Sequence, residues 1–271
     1  MDLQAYLDRI GFAGVPRADL ATLKALHRGH ALSISYENLD VQFGRPTTTS
    51  PSEAFDKLVR RGRGGWCYEM NGVLGAALDE IGFKVTRLAG GVGRMTRGDE
   101  AIGNHLVLLV DLPEGRWIAD VGFGDGSRDP FPLQDGPIVS DGYEYRLQEL
   151  EGGWWRLHNH PNGGAANFDF TLDPADPALL AAKCLELQTS PVSVFVMTAI
   201  AQRHVPGEIR LLRGRAFRRL RGEEKTETLI DTADEFVALL KREFELDVPE
   251  AAGIWDRVYA RHDELFGKAP A

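Results

Sequence analysis

The stretch Arg63-Gly64-Gly65-Trp66-Cys67-Tyr68-Glu69-Met70-Asn71 decides how the rest of this chain is read. Glycines at 62, 64 and 65 end an apolar-periodic run through Ala54, Phe55, Leu58 and Val59, and a new helical period starts near Trp66–Cys67. That period continues through Val73, Leu74, Ala77, Leu78 and Ile81 to Gly82, a residue suited to closing a helix. A cysteine is thus placed in a helix's first turn, behind two glycines that let the backbone turn sharply and admit a substrate close to the main chain. There the helix dipole and unpaired N–H groups favour thiolate over thiol. The same N–H groups can receive the negative oxygen of a tetrahedral intermediate.

Upstream, Leu3, Tyr6, Leu7 and Ile10 mark one face of a short helix, and Leu20, Leu23, Leu26 and His27 continue the period in a second. From about residue 84 the texture changes to short β-rich runs broken by Gly, Pro and Asp: KVTRLAGGV, HLVLLVDL, RWIADVGF, YEYRLQEL and WWRLHNH. Asp173-Pro174 and Asp176-Pro177 mark the exit, and the helical stretch PALLAAKCLELQ follows. The last part alternates strand-like EIRLLRG, AFRRLRG and KTETLI with a helix opened by Thr232, whose Glu235 has capping-box spacing. The class expected is α+β: helices, then a β region, then a smaller α/β tail.

Composition bounds the function. The 271 residues carry 31 Lys and Arg against 40 Asp and Glu, a net charge of −9, which disfavours general binding to nucleic acid or anionic membranes. Two cysteines, Cys67 and Cys184, make neither a disulfide framework nor a Cys-rich zinc site, and no metal is expected. The N-terminus lacks the basic start and apolar core of a signal peptide. The best apolar window, PVSVFVMTAIA at 191–201, is too short to span a bilayer, so a reducing cytoplasmic setting is expected.

A nucleophilic cysteine needs an imidazole, and the imidazole needs an orienting group. His105 opens the run His-Leu-Val-Leu-Leu-Val, and Asp120 sits in the otherwise apolar Trp117-Ile-Ala-Asp-Val-Gly-Phe-Gly124. A buried carboxylate requires a partner, which an imidazolium supplies. Cys184, in an apolar helix without flanking glycines, is assigned to packing. Were Glu114-Gly115 a two-residue hairpin loop, Asp120 would oppose Leu109, about 13 Å along the strand from His105 at ~3.3 Å per residue. A bulge, or a register shifted towards residue 112, is therefore expected. Gly90-Gly91-Val92-Gly93-Arg94 lacks the pattern of a phosphate-cradling loop and is taken as a β-turn; His158 and His160 are taken as surface strand residues.

RGGWCYEMN, followed 38 residues after its cysteine by NHLVLLV and then by WIADVGFG, resembles the arylamine N-acetyltransferases. Residues 30–41 are similar to that family's N-terminal signature, with Ser35-Tyr36 replacing its usual Pro-Phe, and LQTSPVSVF (187–195) adds weaker similarity. The resemblance implies a Cys67-His105-Asp120 triad on a cysteine-protease-like core, with a helical domain (1–83), a β-barrel (84–190) and a linker helix with an α/β lid (191–271). It implies acetyl-coenzyme A as donor and an aromatic amine or hydrazine as acceptor, the acyl group passing through Cys67. Tyr36, Trp66 or Tyr68, and Phe123 are implied neighbours of the aryl group. The Gly103–Asn104 approach is expected to give a second oxyanion donor beside the Cys67 N–H, and Arg63 to pair with Glu37 beneath the loop. Rival expectations are an amide synthase releasing a carrier-bound polyketide thioester, a thiol hydrolase or transglutaminase, and an inert binding module.

Overall fold

The computed structural model describes Met1–Gly267. The first segment carries α1 (Leu3–Arg9), α2 (Leu20–Ser33), a two-residue strand β1 (Tyr36–Glu37), α3 (Leu39–Gln42), α4 (Pro51–Phe55) and α5 (Cys67–Ile81). A π-helical stretch, Asp56–Arg60, extends α4. Asp19 caps α2 by accepting from the Thr22 N–H, and Gly82, at φ +100°, closes α5 in the left-handed conformation that glycine adopts without strain. The inner face of α5 buries Met70, Val73, Leu74, Ala77 and Leu78 against α1, α2, α4 and the next sheet. Each large side chain buried there stabilises by about 1.5–3 kcal/mol.

The middle segment is an eight-stranded antiparallel sheet: β2 (Lys84–Val92), β3 (His105–Leu112), β4 (Gly115–Ala119), β5 (Phe131–Pro132), β6 (Gly136–Ser140), β7 (Tyr143–Glu149), β8 (Trp155–His158) and β9 (Asn167–Pro174). Helix α6 (Arg94–Arg97) leaves β2. The strand order β5-β4-β3-β2-β9-β8-β7-β6 brings the sheet round a core of Val107, Leu147, Leu157, Phe168 and Phe170, an almost closed barrel. Two local expectations change. Gly90, Gly91 and Val92 belong to β2, and only Gly93 (φ +74°) turns, into α6, so the glycines form a strand end rather than a β-turn. Gly90 faces His105 across the sheet, where a Cβ would come within 3.2 Å of the imidazole and 3.1 Å of Val107, so a side chain here would push on that ring. His160 lies not on an exposed strand but 4% exposed beneath the Tyr143 and Tyr145 rings.

Helices α7 (Pro177–Thr189) and α8 (Val194–Met197) lead to β10 (Ile200–Val205), β11 (Glu208–Arg213), β12 (Ala216–Arg221) and β13 (Glu224–Leu229), then α9 (Ala233–Phe244) and α10 (Trp255–Phe266). By composition Pro177–Met197 is apolar enough to cross a bilayer. Ser190–Ser193 nevertheless break it into helices of 13 and 4 residues, both short of the roughly 20 a span needs. The capping box on α9 forms, with the Glu235 N–H donating to Thr232 Oγ1 at 3.2 Å. The last sheet runs β1-β10-β11-β12-β13, so Tyr36–Glu37 of the helical segment becomes its edge strand. Because Tyr36 also bridges Gly65, the chain just before Cys67 is linked through β1 to the C-terminal sheet.

Candidate active site

Cys67 is the first residue of α5, 2% exposed, and one wall of a cavity of about 700 Å³. Its approach is fixed by close backbone packing. The Gly65 N–H donates to the Ser35 carbonyl at 3.2 Å, and the Glu37 N–H to the Gly65 carbonyl at 2.9 Å. A Cβ on Gly64 would collide with the Ser35 carbonyl, and one on Gly65 would sit 2.8 Å from Glu69. Neither glycine has positive φ and neither lines the cavity, so they serve packing under the loop rather than substrate access. The Trp66 N–H donates to Glu69 Oε2 at 3.2 Å, while the Cys67 N–H has no acceptor among the described residues.

Beneath this turn lies a buried charge cluster. Lys57 Nζ is 2.9 Å from both Glu69 and Asp40, and Arg63 is 2.8 Å from Glu37 and 3.3 Å from Asp40. The expected Arg63–Glu37 pair is therefore part of a five-member network. Burial raises Glu69 to about 6 against the opposing pull of Lys57. For Lys57, burial acts to lower the pKa, and Glu37, Glu69 and Asp40 together outweigh it and raise it.

His105 Nε2 is 2.7 Å from Asp120 Oδ2, both residues buried, which leaves Nδ1 for the thiol. Burial disfavours the imidazolium, but Asp120 and then Cys67 outweigh it, and the His105 pKa is raised to about 10. Asp120 is likewise opposed by burial, yet His105, Asn71 and the Gly122 N–H hold it below the usual carboxylate range. The hairpin supplies the geometry: Leu112 pairs with Gly115 and Leu108 with Ala119, so the loop is Pro113-Glu114 and the register is shifted towards residue 112, as expected. Asp120 is the first residue beyond β4, where the chain turns back through Gly122. A Cβ on Gly122 would lie 2.7 Å from the Cys67 Cα and from Asn71 Nδ2.

Two supporting residues escaped the sequence reading. Asn71 Nδ2 donates to Asp120 Oδ1 at 2.7 Å and to the Leu106 carbonyl at 2.6 Å, and its Oδ1 accepts the Val121 N–H at 2.9 Å. Its i+4 spacing from Cys67 on one helix face was a visible signal. His27 Nε2 accepts the Asp120 N–H at 3.0 Å, so its Nδ1 donates to the Arg128 carbonyl at 2.9 Å; burial lowers its pKa and keeps it neutral.

The Gly103–Asn104 approach does not supply an oxyanion donor. The Gly103 N–H donates to the Gly90 carbonyl at 2.9 Å and the Asn104 N–H to that of Ala101 at 3.1 Å. What Asn104 turns to the thiol is its carbonyl, 3.8 Å from Sγ. Of the expected aromatic neighbours, Tyr36 and Phe123 line the cavity, and Phe123 packs on the His105 ring at 5.6 Å. Trp66 and Tyr68 do not: Trp66 is fully buried behind Phe195, and Tyr68 donates its hydroxyl to the Gly103 carbonyl at 2.7 Å. The remaining wall includes Leu187, Phe195, Gln202, Arg213 and Arg218, none of which the sequence reading assigned to the site.

A thiol and an imidazole at the wall of a mostly apolar cavity, with a carboxylate bonded behind the imidazole, are equipped for nucleophilic acyl transfer. Residues 19–253 match the family model described as N-acetyltransferase. An arylamine N-acetyltransferase of Mycolicibacterium smegmatis is 36% identical, the alignment covering 93% of this chain and 94% of that protein. The solved Mycobacterium marinum arylamine N-acetyltransferase superposes with a TM-score of 0.86 at 32% identity, covering 97% of this chain and 99% of that one. The same enzyme in complex with CoA gives equal values. The chain belongs to the arylamine N-acetyltransferase family.

Proposed function

We propose, from that membership, that the chain transfers an acetyl group from acetyl-coenzyme A to an arylamine or arylhydrazine in two halves through an acetyl-Cys67 thioester. The observation that carries the reading is the Cys67–His105–Asp120 arrangement at the cavity wall. The thiolate attacks the thioester carbonyl, the C–S bond to coenzyme A breaks, and coenzyme A leaves with the proton of the His105 imidazolium, which is left neutral. The acceptor amine then attacks acetyl-Cys67, His105 takes the amine proton, and the thiolate is regenerated. N-hydroxyarylamines enter the second half through oxygen by the same steps. Asp120 holds the imidazole by Nε2 and favours its charged form.

The free Cys67 N–H is the oxyanion donor in this scheme. Arg97, Arg213 and Arg218 stand in the cavity wall, and Arg97 and Arg213 form no ion pair among the described residues. Their charge suits the phosphates of coenzyme A. Segments 1–83, 84–190 and 191–271 act respectively as cysteine carrier, imidazole and carboxylate carrier, and lid. Initial-rate kinetics test the scheme. Parallel double-reciprocal lines, with label exchange between coenzyme A and acetyl-coenzyme A in the absence of amine, are expected. Intersecting lines without exchange contradict it.

A further inference from the structure

The cavity wall is mainly apolar, built from Phe123, Phe195, Ile200 and Leu211 among others. Most polar groups in it are already bonded within the protein. The Asn104 side chain pairs with Val92 N–H and carbonyl at 2.7 and 3.1 Å, and Ser193 Oγ donates to the Leu187 carbonyl at 2.6 Å. Asp125 accepts from Asn159 Nδ2 at 3.0 Å and from the Gly164 N–H at 2.5 Å. The Tyr36 hydroxyl and the Gln202 carboxamide have no hydrogen-bond partner among the described residues; Arg97, Asn162, Ser190 and Arg213 share that in the wall, but Tyr36 and Gln202 also face each other. The two are directly opposite across the β1–β10 pair and so share a face. Tyr36 is also bridged to Gly65, two residues before Cys67.

Room has been left for the amide. A Cβ on Gly124 would collide with the Gln202 carboxamide, and one on Gly164 would lie 3.1 Å from its Nε2. Two glycines from separate segments thus seat a side chain that no described residue bonds. We infer that Tyr36 and Gln202 form an uncharged hydrogen-bonding subsite for the acceptor, selecting aryl amines or hydrazides with a neutral polar ring substituent, such as carboxamide or hydroxyl. The inference rests on the acetyl-transfer reading above and names its acceptor class.

An alkyl substituent in that place offers neither group a partner while displacing the water that either would otherwise bond, which a site built to hydrogen-bond its substrate disfavours. A carboxylate meets a different obstacle. A Cβ built on Gly164 is 3.1 Å from Gln202 Nε2 and 3.6 Å from Asp125 Oδ2, so the amide stands near the Asp125 carboxyl, whose pKa burial pushes up. A second carboxylate beside it is opposed by like-charge repulsion.

The test compares kcat/KM for para-aminobenzamide, para-toluidine and para-aminobenzoate in the parent chain, Tyr36→Phe and Gln202→Leu. In a two-half scheme this constant reports the acceptor half alone, and coenzyme A release on mixing with acetyl-coenzyme A reports the donor half. The parent chain should prefer the benzamide to both others. Each variant should lower the benzamide-to-toluidine ratio by about tenfold, the loss of one hydrogen bond. No preference in the parent chain, a preference for the benzoate, or an unchanged ratio in both variants overturns the inference. So does a slowed donor half with equal losses for every acceptor, which assigns the pair to the donor. Absence of any acetyl adduct in the parent chain contradicts the acetyl-transfer reading instead.

Discussion

Asp120 Oδ2 meets His105 Nε2 at 2.7 Å although the two residues are two places out of register across the β3–β4 hairpin. Continuing the Leu112–Gly115 register sets Asp120 opposite Val107, on the same face as His105 and diagonal to it, within reach of an imidazole. Gly122 then folds the chain back so that its N–H bonds Asp120 Oδ1 at 2.9 Å.

Replacing Asp120 with Asn keeps this shape and removes the charge that holds His105 near a pKa of about 10. The expected outcome is a fall in kcat of about a thousandfold or more, the scale seen when a triad loses its orienting anion. Initial rates with acetyl-coenzyme A and an arylamine measure it, and a loss under tenfold contradicts the role assigned to Asp120.

The same pair makes stability depend on pH. The folded His105 pKa is raised, so its contribution is fully present below the unfolded value of about 6.5 and is lost as pH rises towards 10. The folded Asp120 pKa is depressed, so its contribution is present above about 3.9 and is lost as pH falls further. The Tm gap between the chain and Asp120→Asn should be widest between roughly pH 4 and 6.5 and shrink towards 10. A gap independent of pH contradicts the ion pair.

Gly122→Ala and Gly72→Ala should act in opposite directions. A Cβ at 122 meets Cys67 and Asn71 at 2.7 Å, whereas one at 72, within α5, meets nothing inside 4 Å. Urea unfolding should show the first destabilised by about 1–3 kcal/mol and the second stabilised by roughly 0.5–1 kcal/mol.

Lys57→Met leaves Glu37, Asp40 and Glu69 with Arg63 as the one cation buried among them. Breaking a buried ion cluster from one side costs about 3–5 kcal/mol. Denaturant unfolding checks the value, and a cost below 1 kcal/mol means that the cluster is solvated in solution.

Much of this was legible in the sequence because it rests on local signals. Gly82 ended α5, Thr232 and Glu235 capped α9, and the order of helices, sheet and α/β tail followed from apolar periodicity. The hairpin register followed from requiring His105 to reach Asp120. Contacts between distant segments were not legible. Nothing local tells Tyr36–Glu37 to join a strand at residues 200–205, and so nothing placed Gln202 beside Tyr36. The Gly103 and Asn104 N–H groups looked available because their acceptors, Gly90 and Ala101, are set by tertiary turns. Trp66 and Tyr68 flank the cysteine in sequence, but α5 turns both into the core.

Intact-mass spectrometry after mixing the chain with acetyl-coenzyme A tests the central claim most directly. The account predicts a gain of about 42 Da, one acetyl group in place of one hydrogen, mapping to Cys67 and removed by adding an arylamine. No adduct, or one that maps elsewhere and persists with the amine present, contradicts it.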